Sequence, residues 1–255
     1  MKPNQPSPLN LELQPPLRPA ALLAGLAGGA IGMIGLWQLP FGDVILYPFS
    51  ILATWFHEMG HGLTAVLLGG RFEQLMLYPN GSGLAYHSGW LWFGPIGQAL
   101  VSAGGPLGAP IAGHFLLRLA GRRLARVQLG LFLLGCVLLL SVLLWVRTLF
   151  GVLVVSLLGV AIAAIPLYAP PWMQYFTLQF LSVQACISTF HRLDYLFQNN
   201  CTIEGRLQVS DTGKMAQLLL LPHWVWGTLI SIISIYCFIS GYRRLVRGGG
   251  YSKVS

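Results

Sequence analysis

The sequence predicts an all-α polytopic membrane protein, with about seven transmembrane helices (six to eight) and a short membrane-associated β-hairpin. Three observations predict it. Of 255 residues, 55% are hydrophobic and only 9% are charged, where an ordinary soluble domain carries about 25% charged residues. The apolar residues fall into runs of the length that crosses a bilayer, about 20 residues each. The basic residues gather between and after those runs, Arg118, Arg122, Arg123 and Arg126 in one cluster and Arg243, Arg244, Arg247 and Lys253 in another. That is the bias of cytoplasmic loops in an integral, multi-pass membrane protein. The net charge of +8 therefore points to no nucleic-acid partner. The 31 Gly show no period and the 4 Cys form no Cys-x-x-Cys pair, which excludes collagen-like and disulfide-scaffold classes and a thiolate metal site.

Residues 1–19 hold Pro3, Pro6, Pro8, Pro15, Pro16 and Pro19 with little else and read as a disordered, extended tail. It is too polar for a cleavable signal peptide, and the run that follows, 20–39, is long enough to span. Further runs lie at 44–68, 91–119, 127–146, 149–169, 172–190 and 223–240. Together they make a single integral-membrane domain over 20–241, followed by a basic tail over 242–255. The third run contains Gly104, Gly105, Pro106 and Pro110 and is expected to be a broken or re-entrant helix, as tolerated where backbone lines a polar cavity. Three spans separate the second run from the sixth, so these two run parallel whichever side faces the cytoplasm. The orientation itself is open, because Lys2 and Arg18 pull against the later basic clusters. Trp37, Trp90, Trp92, Trp172, Trp224 and Trp226 lie near run ends, where interfacial anchors belong.

Between the second and third runs, residues 71–89 read RFEQLMLYPNGSGLAYHSG. Pro79-Asn80-Gly81-Ser82-Gly83 is a turn signal between two strand-like pieces, 72–78 and 84–88. The alternative is an ordinary decorated loop. A hairpin there has an edge that must be satisfied, and an extended peptide strand can satisfy it.

Only seven side chains are acidic: Glu12, Asp43, Glu58, Glu73, Asp194, Glu204 and Asp211. An acid inside an apolar run is costly to keep there and marks function by default. Glu58 is such an acid, in His57-Glu58-Met59-Gly60-His61. On a helix, positions i and i+4 share a face, so both imidazoles can reach one zinc ion. Glu58 lies about 100° around, able to act on a water without being a ligand. A catalytic zinc takes a third protein ligand and keeps one position open. Asp194, at the end of the sixth run, is the favoured third ligand. His191, one turn earlier, is its rival, and His87 in the hairpin, and Glu204 and Asp211 in the loop that follows the sixth run, are weaker. The alternative for Asp194 is an ion pair with Arg192. His114 and His223 read as packing or helix-start residues, and Met33, Met173 and Met215 as packing.

The chain resembles the site-2 protease family of intramembrane zinc metalloproteases, in its compact M50B-like branch without a PDZ domain. The stretch HEMGHGLTAVLLGG is similar to the family's zinc-binding helix, and the PNGSG segment resembles the Gly-rich hairpin after it. Ser102-Ala103-Gly104-Gly105-Pro106-Leu107-Gly108-Ala109 resembles the family's Gly-Pro motif, and Leu193-Asp194 its Leu-Asp pair. Ser210-Asp211 followed by LLLLPHWVWG looks like a tail common in the compact branch. The resemblance covers roughly residues 44–240. It implies His57, His61 and Asp194 as zinc ligands, Glu58 as general base, and hydrolysis of a peptide bond in a membrane protein substrate, with no nucleotide cofactor. Two positions depart from the pattern: Ala109 stands where the family usually has Asn, and Tyr195 where it usually has Gly after the Asp. The rival readings are a non-catalytic zinc-binding scaffold of the same fold and, with no internal repeat to support it, an ion or solute transporter.

Overall fold

A computed structural model describes residues 38–247, without Arg122, Arg192 and Glu204, together with isolated positions at 28, 31, 32 and 35. Side chains at 43, 191, 193, 194, 203, 206, 246 and 247 are outside the description. The expected tail at 1–19, nearly all of the first run at 20–39 and the end of the basic tail also lie outside the described residues.

The chain is mostly helical. Helix α1 (Gly42–Leu67) leads into strands β1 (Arg71–Leu77) and β2 (Gly83–Ser88), then helices α2 (Pro95–Leu119), α3 (Leu124–Leu144), α4 (Leu149–Tyr168) and α5 (Pro171–His191). A short turn of helix, α6 (Leu193–Leu196), precedes strands β3 (Asn200–Ile203) and β4 (Arg206–Val209). Helix α7 (Asp211–Leu219) and helix α8 (His223–Arg247) end the described chain. Four of these helices, α2, α3, α4 and α8, are long and apolar enough to cross a membrane. Helices α1 and α5 occupy two further apolar runs but carry buried polar side chains, among them Thr54, Glu58, Gln174, Gln179 and Gln184.

Helix α2 is the hub, packing against α1, α5, α7 and α8, while α3 and α4 pair beside it. Its approach to α1 is a backbone contact. A Cβ on Gly60 would fall onto the Gly104 carbonyl oxygen, and one on Gly108 would meet the Gly60 Cα at 3.0 Å. Without side chains at these positions the helices lie closer than bulkier residues permit, the small-residue packing typical of membrane helices.

The third run was expected to break at its glycines and prolines, yet α2 is continuous through Pro106 and Pro110. Proline at 110 has no N–H to give the carbonyl of Pro106, four residues earlier. The Thr189 hydroxyl on α5 donates to that carbonyl at 3.1 Å. A neighbouring helix thus replaces the bond that the ring removes, as membrane helices allow.

The expected first hairpin is present, with strands within one residue of the predicted pieces. Its pairs run antiparallel from Leu77↔Gly83 to Arg71↔Ser88, with an irregularity between Phe72 and Gln74. In the turn, Gly81 adopts φ 83° and the Asn80 side chain accepts the Ser82 amide at 2.9 Å. The outer edge of β1 is already bonded: the Leu75 amide donates to the Trp145 carbonyl at 2.8 Å and the Arg147 amide to the Leu75 carbonyl at 3.1 Å. Among the described residues, no strand pairs with the outer edge of β2.

The segment between the sixth and seventh runs, expected as a loop, forms a second hairpin and an amphipathic helix instead. Strands β3 and β4 pair in antiparallel register from Asn200↔Val209 to Ile203↔Arg206. Ser210 then starts α7, its hydroxyl accepting the Gly213 amide at 3.0 Å, which satisfies one of the helix's unpaired donors.

Candidate metal centre

Helix α1 presents His57 and His61 on one face, one turn apart, with ring centroids 4.8 Å from each other. The i, i+4 spacing does this without help from the rest of the fold. The remaining walls come from far along the chain. Gly105 on α2 lies so near that a Cβ would overlap the His61 ring, and one at Gly83 in the hairpin would meet the Glu58 Cγ at 2.7 Å. The Thr54 hydroxyl donates to the Gly81 carbonyl at 2.8 Å and so joins α1 to the hairpin turn.

The acid brought to the imidazoles is Asp211, the first residue of α7. Its Oδ2 lies 3.0 Å from His57 Nε2 and 3.3 Å from His61 Nε2, and the two Nε2 atoms are 3.2 Å apart. These three atoms make a nearly equilateral triangle. Its edges match the spacing of ligand atoms around a tetrahedral zinc, about 3.3 Å for bonds of about 2.0–2.1 Å. The protonation pattern points the same way. His61 Nδ1 lies 2.8 Å from the Val101 carbonyl, which can only accept, so Nδ1 carries the proton. In the neutral ring Nε2 then presents a lone pair, aimed at a carboxylate oxygen and at a second imidazole. A cation between them, a metal ion or a proton, resolves that clash. Two imidazoles and one carboxylate are also a familiar donor set for zinc. The residues present therefore fit the ion, and His57, His61 and Asp211 form a group that can hold one.

The third ligand favoured by the sequence is Asp194. Asp194 lies in α6, and its side chain is outside the described residues, as is that of His191. Asp211 was among the weaker choices as a residue of the loop after the sixth run, and the hairpin and helix start that return it to His57, 154 residues earlier, were not foreseen. Its local signal was Ser210-Asp211, a capping residue followed by an acid, which favours a helix N-terminus. Burial opposes charge on Asp211, but the imidazoles beside it hold its carboxyl well below the usual carboxylate range.

Glu58 is 6% exposed and has the Ala85 amide beside its carboxylate. Two cavities flank it. One, of about 140 Å³, has walls of small residues, including Ala53, Gly83 and Ala109, and hydroxyls such as Ser188 and Thr189. The other, of about 230 Å³, holds His61 and Asp211 and is polar, with Gln98, Gln208 and Lys214 on its walls. His57, Glu58, Tyr195 and Cys201 border both. His87 of β2 also lines the polar chamber; burial, then the nearby His61 and Lys214 charges, lower its pKa. Tyr195, not singled out as a site residue by the sequence, donates its phenol proton to Asp211 Oδ2 at 2.9 Å. Burial, and then the Asp211 charge, keep that phenol protonated well above its usual range.

With this geometry in place, comparison with family models is decisive. The model described as Peptidase M50B-like matches residues 26–241, most of the chain. The chain belongs to the Peptidase M50B-like family. That places it with the site-2 proteases, as the sequence resemblance implied, and the match runs from the first predicted span to the end of α8's apolar part. Membership in this branch suggests a membrane metallopeptidase, consistent with four helices of spanning length. No curated protein and no solved structure matches the chain.

Proposed function

We propose that this M50B-like chain is a membrane-embedded zinc metallopeptidase that hydrolyses a peptide bond of a membrane protein substrate. His57, His61 and Asp211 would hold the ion, with Asp211 in the place expected of Asp194, and Glu58 would be the general base. The observation that carries the reading is the triangle of Nε2, Nε2 and Oδ2 atoms with a buried, non-ligating glutamate on the same helical turn. A bound zinc ion supplies Lewis acidity, polarising the scissile carbonyl and bringing a water's pKa toward neutrality.

The protein's own residues do the rest. Glu58 sits between the two cavities, accepts the proton of the attacking water and passes it to the leaving amine. Its burial keeps competing bulk water away from that transfer. The substrate must leave the helical state locally, because backbone bonded within a helix does not offer its carbonyl. The outer edge of β2, which borders the chamber through Gly83, Leu84, Ala85 and His87, suits an added extended strand. The small walls of the other cavity leave space for a side chain next to the cut bond.

The test pairs metal analysis with cleavage. Purified wild type should carry zinc, and Glu58→Gln should keep it while cleavage falls about a hundred- to ten-thousandfold, the usual worth of a general acid–base group. Wild type without zinc would sink the proposal. A Glu58→Gln variant that cleaves as wild type would remove Glu58 from the mechanism, and wild type that binds zinc but cuts no membrane substrate would favour a non-catalytic scaffold.

A further inference from the structure

The Asp211 carboxylate has few means of keeping its orientation once an ion is bound. The torsion that turns the carboxylate plane, about Cβ–Cγ, is of the broad sp³–sp² kind, with no sharp rotamer well. The described partners of its oxygens are the two imidazoles and Tyr195. A coordinating imidazole nitrogen uses its lone pair on the metal and has no proton to give. The two imidazole contacts therefore cease to be hydrogen bonds when the site fills. The phenol of Tyr195 is the described donor that remains. A carboxylate oxygen has two lone-pair directions, so Oδ2 can accept the phenol proton and still serve as a ligand.

Tyr195 is itself held in place. Its ring meets the His57 ring edge to face, centroids 6.0 Å apart. Its neighbour Leu196, 1% exposed, packs with Met215 of α7 and Ile230 of α8 in a small apolar cluster. The same contact fixes α6 beside the helix that carries Asp211. The phenol and the carboxylate are thus presented to each other by elements locked together within one helical turn of the site.

We propose that Tyr195 is a positioning residue of the centre, holding the Asp211 carboxylate by its phenol hydrogen bond so that Oδ2 stays turned toward His57 and His61. This rests on Asp211 being the third ligand. Outer partners of this kind govern metal affinity, and their loss costs about 10- to 100-fold.

The experiment measures zinc affinity of the full chain in detergent by competition with a chelator, beside thermal melting of the metal-free form. Tyr195→Phe keeps the ring against His57 and removes only the hydroxyl. It should melt like wild type and bind zinc about 10- to 100-fold more weakly, and Tyr195→Leu should lose no less. Affinity within about twofold of wild type in Tyr195→Phe would overturn the proposal, since exposed or redundant hydrogen bonds have effects of that size. So would a loss seen only in Tyr195→Leu, or a metal-free Tyr195→Phe that does not fold, because each makes the role one of packing. Asp211→Asn separates the two levels. If Asp211→Asn binds zinc as wild type, the ligand set itself is wrong. If it loses zinc while Tyr195→Phe keeps it, the ligand set stands and only the positioning role falls.

Discussion

The two arms of the centre are built on different terms. One is a single turn of α1, where His57, Glu58 and His61 ride on a helix of 26 residues pressed against α2 through Gly60, Gly104 and Gly108. The other, residues 193–219, is assembled from two short helices and a two-stranded hairpin, each too small to be stable alone. It delivers Tyr195 and Asp211 through a serine cap and a few apolar contacts. The first arm is rigid by construction, whereas the second depends on many small terms acting together. A perturbation of about 1 kcal/mol should pass unnoticed in the first and register as lost metal in the second.

The sharpest way to break that contrast is to remove the acids. Asp211→Ala should lower zinc affinity by more than the 10- to 100-fold typical of an outer partner, while Asp194→Ala leaves it unchanged in the same chelator competition. The opposite ranking would restore Asp194 as ligand and empty the second arm of its role. Next in size is Gly105→Ala. The added methyl would overlap His61, and overpacking of about 1–3 kcal/mol predicts zinc binding weakened by about 5- to 150-fold. Helicity by circular dichroism should stay the same. A fully active, zinc-replete Gly105→Ala would show that the first arm yields more readily than its packing suggests. The smallest effect is expected from Ser210→Ala, which removes the cap of α7 at a cost of about 1 kcal/mol. Zinc affinity should drop severalfold with little change in overall melting. An equal loss from capping changes on the first arm would erase the distinction drawn between them.

The same contrast explains what could be read in advance. The i, i+4 spacing of His57 and His61 is a local property, so the sequence places the two imidazoles together before any fold is known. The hairpin over 71–88 was legible for the same reason, since Asn80-Gly81 encodes its turn. Asp211 was not, because its place depends on pairing β3 with β4 and on Leu196 meeting Met215, contacts that no period or spacing displays. Parity of the spans pointed to Asp194, an acid at the end of the sixth run, whereas Asp211 reaches the imidazoles by the tertiary return of a later segment. Continuity of α2 was likewise hidden. Pro106 and Pro110 read as breakers until a hydroxyl from α5, Thr189, is seen to take up the orphaned carbonyl.

One consequence of that arrangement concerns timing. The acid that closes the metal site follows the first histidine by 154 residues, and chains emerge from the ribosome N-terminus first. The HEMGH helix and α2, against which it packs in the finished fold, are therefore both made long before Asp211 exists. For the length of those 154 residues the chain holds a pair of imidazoles and a glutamate but not a complete ligand set. On this arrangement a complete set of metal ligands exists only once α7 has been made and the β3–β4 hairpin has returned it to α1.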